Sequence, residues 1–256
     1  PLTVIEEYGT DAFRFTLAAF AAQGRDIKMS KKRVEGYRHF INKLWNAARF
    51  ALSHLSDAHG PLPASGLLLP DRWILSRLCQ TRRVVGDALD SYRFNDAASG
   101  LYNFVWHEFC DWYVELAKNR LYSDDEEVKS AVLTRALGLF EEVLKILHPF
   151  IPFITEEIWQ ALPGERPCVT IMQAEFPDGC GLPTDVAGAE RMELVMEVIR
   201  AIRNIRGEMD VPPGRQVAAL LNCKSGRSQE ILEEGSAAIR VLGKVGELTI
   251  GQSLAP

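Results

Sequence analysis

Paired cysteines, clustered histidines and long apolar runs are missing from this 256-residue sequence. The five cysteines, at 79, 110, 168, 180 and 223, form no CxxC pair and are odd in number. In a chain too large to need covalent staples, that pattern predicts free thiols in a reducing compartment. The five histidines are scattered, and the one string that opens like HExxH, His107-Glu108-Phe109-Cys110-Asp111, has Asp where the second histidine would stand. The i, i+4 pair that a zinc ion needs is therefore absent, and no metal is expected. The sequence contains no GxSxG, no GxGxxG and no GxxxxGKS or GxxxxGKT, which leaves no nucleophile elbow and no glycine-rich phosphate loop. Carboxylate pairs such as Glu6-Glu7, Glu126-Glu127, Glu156-Glu157 and Glu233-Glu234 read as solvated faces and first turns of helices. No apolar run approaches the ~18 residues of a membrane span, and no basic leader precedes an apolar stretch. A cytoplasmic protein is expected. The opening on Pro1 rather than Met reads as a piece of something longer.

The composition is that of a globular protein, with 47% hydrophobic and 25% charged residues, and neither an internal repeat nor a low-complexity tract interrupts it. The net charge of −5 would by itself argue against a nucleic-acid partner. Position changes that reading. From Arg25 to Arg49 eight Lys and Arg stand against two Asp and Glu, a local +6, and the remaining residues carry −11.

Helical period dominates from residue 10 to about 161. Arg33 to Leu55 repeats apolar residues at Val34, Tyr37, Ile41, Leu44, Trp45, Ala48 and Leu52, with Ser30 as a candidate N-cap. A second helix opens after Pro70-Asp71 and runs towards Tyr92. A break at Phe94-Asn95-Asp96 precedes one long helix from Ala97 to Tyr122, and Ser123-Asp124-Asp125 caps another from Glu126 to Leu147. His148-Pro149-Phe150-Ile151-Pro152-Phe153 kinks the chain before a short helix from Thr155 to Leu162. Short connections between long helices predict an antiparallel bundle. The stretch 163–188 holds four prolines and four glycines and reads as a linker. Beyond it a helix over Glu190–Met209, a strand over Gln216–Leu221, a helix over Ser228–Leu242 and a strand over Glu247–Ile250 make a small α/β unit with too few strands to stand alone. The fold class expected is mainly α, a helix bundle with an incomplete α/β unit at the C-terminal end.

The basic island carries the functional signal. Lys28, Lys31, Lys32 and Arg33 lie at the start of a helix, where the macrodipole disfavours cations, so a nearby anion is expected. Further along, Arg38, Asn42, Lys43, Asn46 and Arg49 leave the apolar stripe, and Phe50 stands at its edge. Cations beside amides and an aromatic ring suit RNA, with phosphates on the cations and unstacked bases on the rest. The competing reading is a solvated basic face paired with acids elsewhere. Arg200, Arg203 and Arg206, opposite Val198, Ile199, Ile202 and Ile205, suggest a second phosphate contact or salt bridges to the bundle. The aromatic run Tyr102, Phe104, Trp106, Phe109, Trp112 and Tyr113 reads as core.

Several strings, taken in order, carry a resemblance. Tyr8-Gly-Thr-Asp-Ala-Phe-Arg-Phe15, Gly24-Arg-Asp-Ile27, Arg33-Val-Glu-Gly-Tyr-Arg38, Asn42-Lys-Leu-Trp-Asn-Ala-Ala-Arg-Phe50, His107-Glu-Phe-Cys-Asp-Trp-Tyr113, His148-Pro-Phe-Ile-Pro-Phe-Ile-Thr-Glu-Glu-Ile-Trp159, Ile202-Arg-Asn-Ile-Arg206 and Val211-Pro-Pro-Gly214 resemble the valyl-tRNA synthetases, a family of class I aminoacyl-tRNA synthetases. The isoleucine and leucine relatives are less similar at Asn42 to Phe50. The resemblance implies a connector over 1–29, a helical anticodon-binding bundle over 30–162, a linker over 163–188 and a partial α/β unit over 189–256. It implies valine tRNA and the catalytic domain of the same polypeptide as partners, a monomer, and an ATP-using active site outside this chain, with no catalytic residue and no cofactor here. Lys28-Met-Ser-Lys-Lys32 imitates the family's KMSKS loop, but it has Lys as its fifth residue and follows the stretch that the loop should precede, so no ATP role is expected. The alternative function is a helical module that docks on and orients the catalytic body, or the equivalent domain of an isoleucine- or leucine-type synthetase.

Overall fold

The computed structural model describes residues 1–21, 29–53, 66–122, 125–164, 168–177 and 184–254. They form a mainly helical protein that divides into two compact units, one of Pro1–Gly66 with Arg77–Pro183, the other of Leu67–Ser76 with Thr184–Pro256.

In the first unit the leading residues are helical. They form α1 (Leu2–Tyr8) and α2 (Thr10–Phe20), separated by Gly9 at φ +90°, a left-handed conformation that glycine adopts without penalty. Helix α3 (Lys31–Ser53) starts where Arg33 and Val34 donate to the Ser30 carbonyl. In α4 (Leu69–Asp90), Asp71 lies one turn in and accepts from the Leu68 amide at 3.1 Å, half of a capping box. The chain then turns through Tyr92, at φ 57°, into α5 (Phe94–Asn103).

From Phe104 to Tyr113 the backbone is a π-helix, which passes without a break into α6 (Val114–Leu121). The long helix expected from Ala97 to Tyr122 is therefore continuous but not uniformly α. The wider turn closes i→i+5 hydrogen bonds, so residues five apart share a side. Helix α7 (Glu126–Leu147) has the predicted cap, with Asp125 accepting from the Glu127 and Val128 amides at 2.9 and 3.2 Å. Helix α8 (Pro152–Ala161) takes Pro152 as its first residue, three positions before the expected start, because the missing amide costs nothing there.

The kink before α8 is held from α2. Asp11 accepts from the Phe153 and Ile154 amides at 3.3 and 2.7 Å, standing in for the cap that α8 lacks. Arg14 donates to the Pro149 and Phe150 carbonyls at 3.0 and 3.4 Å. Burial pushes the Asp11 carboxyl above its usual range, against the pull of those two amides. Burial also pushes His148 below the usual imidazole range, although Glu156 and Asp11 oppose the shift.

The second unit is built on α9 (Val186–Glu208), with β1 (Val217–Asn222), α10 (Gly226–Glu234), α11 (Ser236–Gly243) and β2 (Val245–Gly251). The two strands pair in parallel. The single helix expected over Ser228–Leu242 is broken at Gly235, a position where a Cβ would lie 2.3 Å from a methyl of Val195, so that glycine alone fits there. Trp73 and Ile74 from the first turns of α4 are buried and belong to this unit, where Arg72 pairs with Asp185 at 3.3 Å and with Glu234 at 2.6 Å.

Removing the trans-acting cap should be felt as a lost, partly buried charged hydrogen-bond pair. Asp11→Ala is expected to lower the free energy of unfolding by about 1–2 kcal/mol in urea titrations, whereas an unchanged midpoint would mean that α8 needs no cap.

Candidate nucleic-acid interface

Helix α3 carries most of the residues that the sequence singles out, and its rotation decides which of them meet solvent. Val34, Phe40, Leu44 and Ala48 are buried. Phe40 lies 5.1 Å from Phe15 and 5.1 Å from Tyr102, ring centre to ring centre, while Tyr37 lies 4.9 Å from Phe15. The predicted aromatic core is present beside it, with Phe104, Phe109, Trp112 and Tyr113 buried and Tyr102 and Trp106 half-buried. Burial pushes the Tyr37 and Tyr102 hydroxyls above their usual range.

The opposite face presents Arg38, Asn42, the adjacent Trp45 and Asn46, and Arg49, all exposed and one helical turn from one group to the next, with Glu35 and His39 beside them. Trp45 was expected on the apolar stripe. Instead it is 37% exposed, because Phe40, absent from that stripe, claims the core and turns the helix. A large exposed ring between amides and cations is the functional signal that periodicity alone missed. Lys32, Asn42, Asn46 and Arg49 have no hydrogen-bond or ion-pair partner among the described residues.

Other cations of the island are already engaged. Lys31 pairs with Glu7 at 2.6 Å, a hydrogen bond that pulls the carboxyl below and pushes the ammonium above its usual range. Arg33 stacks on the ring of Phe20 at 4.4 Å, and Arg38 donates to the Glu7 carbonyl at 3.4 Å. The cations at the helix start thus find a carboxylate, a ring and a carbonyl within the fold. Exposed contacts of this kind hold little free energy and yield to a better anion. Lys28 lies outside the described residues.

Lys43 and Phe50 face the seam between α3 and the π-helix with α6. Lys43 Nζ is 2.5 Å from Asp111 Oδ1 and 3.9 Å above the Trp106 ring. Phe50 is half-buried against Ala117, Leu121, Val132 and Leu133, with Lys118 Nζ 5.2 Å above its ring. Burial pushes the nearby Cys110 thiol up to about 12, so that sulfur stays protonated.

The arginine row of α9 does not hold as a solvent-facing stripe. Arg200 and Arg203 are exposed, and Arg203 donates to the Leu242 carbonyl at 2.9 Å. Arg206 is buried, donating to the Pro212 carbonyl at 3.1 Å, while Ile205, expected to be inside, is 56% exposed. Steps of three residues precess by about 60° on an α-helix, which carries such a row from water into the core.

Among the described residues no group of three or more His, Cys, Asp or Glu is placed to hold a metal ion, and no helix is long and apolar enough to cross a membrane.

Residues 71–221 match the family model described as the anticodon-binding domain of tRNA ligase. The chain is 54% identical over 254 residues to a protein of Syntrophotalea carbinolica named valine–tRNA ligase, covering 98% of this chain and 28% of that protein. A protein of the same name from Geobacter sulfurreducens is 53% identical, covering 99% of this chain and 29% of its own length. The chain thus spans less than a third of these relatives. A solved ternary complex of an Agrobacterium radiobacter LeuRS with tRNA and LeuAMS matches 73% of this chain and 21% of that chain, at 21% identity and a TM-score of 0.49. With more than half of its length matched by that model, this chain belongs to the anticodon-binding domain family of tRNA ligases.

Proposed function

We propose that this chain binds the anticodon arm of valine tRNA as the RNA-holding segment of a valine–tRNA ligase, the cytoplasmic enzyme that attaches valine to its tRNA with ATP. The observation that carries the proposal is the wet face of α3, where Arg38, Asn42, Trp45, Asn46 and Arg49 stand together in a chain of net charge −5. Lys32, Arg38 and Arg49, with Lys28, Lys31 and Arg33 as reinforcement, take phosphates. Asn42 and Asn46 offer amides to base edges, and Trp45 offers a ring for stacking. Arg200 and Arg203 remain candidates for a phosphate further along the RNA. Valine and ATP are assigned to the catalytic body of the same polypeptide, and the fragment acts as a monomer without catalysis or cofactor of its own.

One observation favours the alternative of a docking module. Phe153 on α8 and Val169 and Met172 just beyond it are 63%, 84% and 75% exposed, apolar side chains suited to a protein neighbour. Phe153 lines one cavity with Arg38 and Asn42 of the α3 face, so a protein neighbour there would meet the edge of the RNA surface, while Val169 and Met172 lie beyond α8.

Three phosphate contacts at a slope of about −0.7 each predict that log K for valine tRNA falls against log salt with a slope of about −2 or steeper. Footprinting should show protection of the anticodon loop, and binding insensitive to salt, or protection confined to the acceptor stem, would contradict the proposal. Trp45→Ala is expected to weaken binding by about 1–3 kcal/mol, the range for a base stacked on an aromatic ring, and to lower stability by about 1–2 kcal/mol through the covered part of its ring, which a thermal melt reads separately. Phe50→Ala should lower stability by roughly 2 kcal/mol through the gap left beside Leu121, Val132 and Leu133.

A further inference from the structure

The seam beside α3 holds an ammonium, a carboxylate and an indole in one arrangement, and the π-helix is the reason they meet. Trp106 and Asp111 are five residues apart. On an α-helix they would point about 140° away from each other, whereas five residues are close to one turn of a π-helix. Both therefore reach Lys43 of α3: Asp111 Oδ1 at 2.5 Å and the Trp106 ring at 3.9 Å. The ring is itself fixed, stacked on Tyr102 at 5.6 Å and 15°, and on Phe40 at 6.4 Å and 28°. The result is a lysine whose ammonium is held by a carboxylate and an indole at once.

The ammonium keeps N–H donors that this pairing does not use, and its side chain is 25% exposed. The Asp111 side chain is 44% exposed, and among the described residues its second oxygen, Oδ2, has only the His107 Nδ1 at 3.5 Å. A donor and an acceptor thus stand side by side at the surface. A phosphate, which offers only acceptors and negative charge, is repelled by the carboxylate. The Watson–Crick edge of an unstacked base, which offers a donor next to an acceptor, satisfies both groups at once.

We propose that Asp111 is a positioning and reading residue for RNA: with Trp106 it fixes the Lys43 ammonium, and its outer oxygen accepts an N–H from the same unstacked nucleobase that Lys43 contacts. A second set lies farther along the same seam, where Lys118 sits 2.5 Å from Glu115 and 5.2 Å above Phe50. This inference rests on the anticodon-arm reading above and assigns to one part of that interface a base rather than a phosphate.

The sign of a charge-removing substitution separates the two. If Lys43 served a phosphate with Asp111 as a competing counter-ion, Asp111→Asn would free the ammonium, strengthen binding and steepen the salt dependence. Base reading predicts the opposite. Asp111→Asn should weaken binding of a valine-tRNA anticodon hairpin by about tenfold, the loss of one hydrogen bond to a charged group, with the salt slope unchanged. Asp111→Glu should recover part of the loss. The penalty should vanish on a hairpin with an abasic nucleotide at one particular loop position, and in the Lys43→Met background. Circular dichroism and a thermal melt of each variant show whether the helices are intact, and the salt slope and abasic series read RNA contact whatever small stability change accompanies them. Tighter or equal binding by Asp111→Asn, or a penalty that persists with every abasic hairpin, overturns the inference while leaving the anticodon-arm reading in place. Failure of the unsubstituted chain to bind the hairpin overturns that reading instead.

Discussion

The rotation of α3 about its own axis decides what this chain presents to a partner, and packing around Phe40 sets that rotation. The ring is enclosed by Phe15 from α2, Tyr102 from α5 and Trp106 from the π-helix, so three elements hold one helix by the same side chain. Aromatic pairs at such separations add directional preference to the free energy of burial. With Phe40 inside, the Arg38–Arg49 face must be outside. The Asp11 and Arg14 contacts that hold the kink before α8 act on the same assembly through α2, within one turn of Phe15.

Charge follows from this geometry. The sequence places a +6 island on a −11 remainder, which invites the picture of a uniformly cationic helix. The fold divides that charge into two populations. Lys31 and Lys43 are paired with Glu7 and Asp111, while Lys32 and Arg49 stand in water without such partners. The free cations can steer and hold a phosphate backbone at a cost in screening by salt. The paired lysine at the seam is a fixed group, suited to a contact where direction matters more than charge. An acidic remainder discourages polyanions from the rest of the surface.

What was legible in the sequence had a local physical cause. Asp125 as the cap of α7, the proline kink before α8 and the burial of Phe104, Phe109, Trp112 and Tyr113 each depend on neighbours in the chain. What was hidden depends on packing at a distance. Trp45 looked like core because periodicity locates a stripe without fixing its edges, and only the ring cluster around Phe40 shows which edge is wet. The π-helix leaves no period that a short window can detect, so the meeting of Trp106 and Asp111 at Lys43 could not be read in advance. The break at Gly235 sits where Val195, about forty residues away in sequence, leaves no room for a Cβ. Arg206 is buried because a row of every third residue winds off its face. The leading 1–20 stretch, with helical period expected from residue 10, forms two helices around Gly9, the first of which starts earlier than that period showed. The family resemblance, by contrast, was carried by whole strings of residues and survived all of these local errors.

The central claim is that the wet face of α3 and the adjoining π-helix are where RNA lies. Hydrogen–deuterium exchange of the chain with and without saturating valine tRNA measures this directly, because bound RNA excludes water and damps local opening of the amides beneath it. Peptides spanning 31–53 and 104–118 are expected to exchange more slowly in the complex. Exchange unchanged in both segments, with tRNA demonstrably bound, would contradict the account.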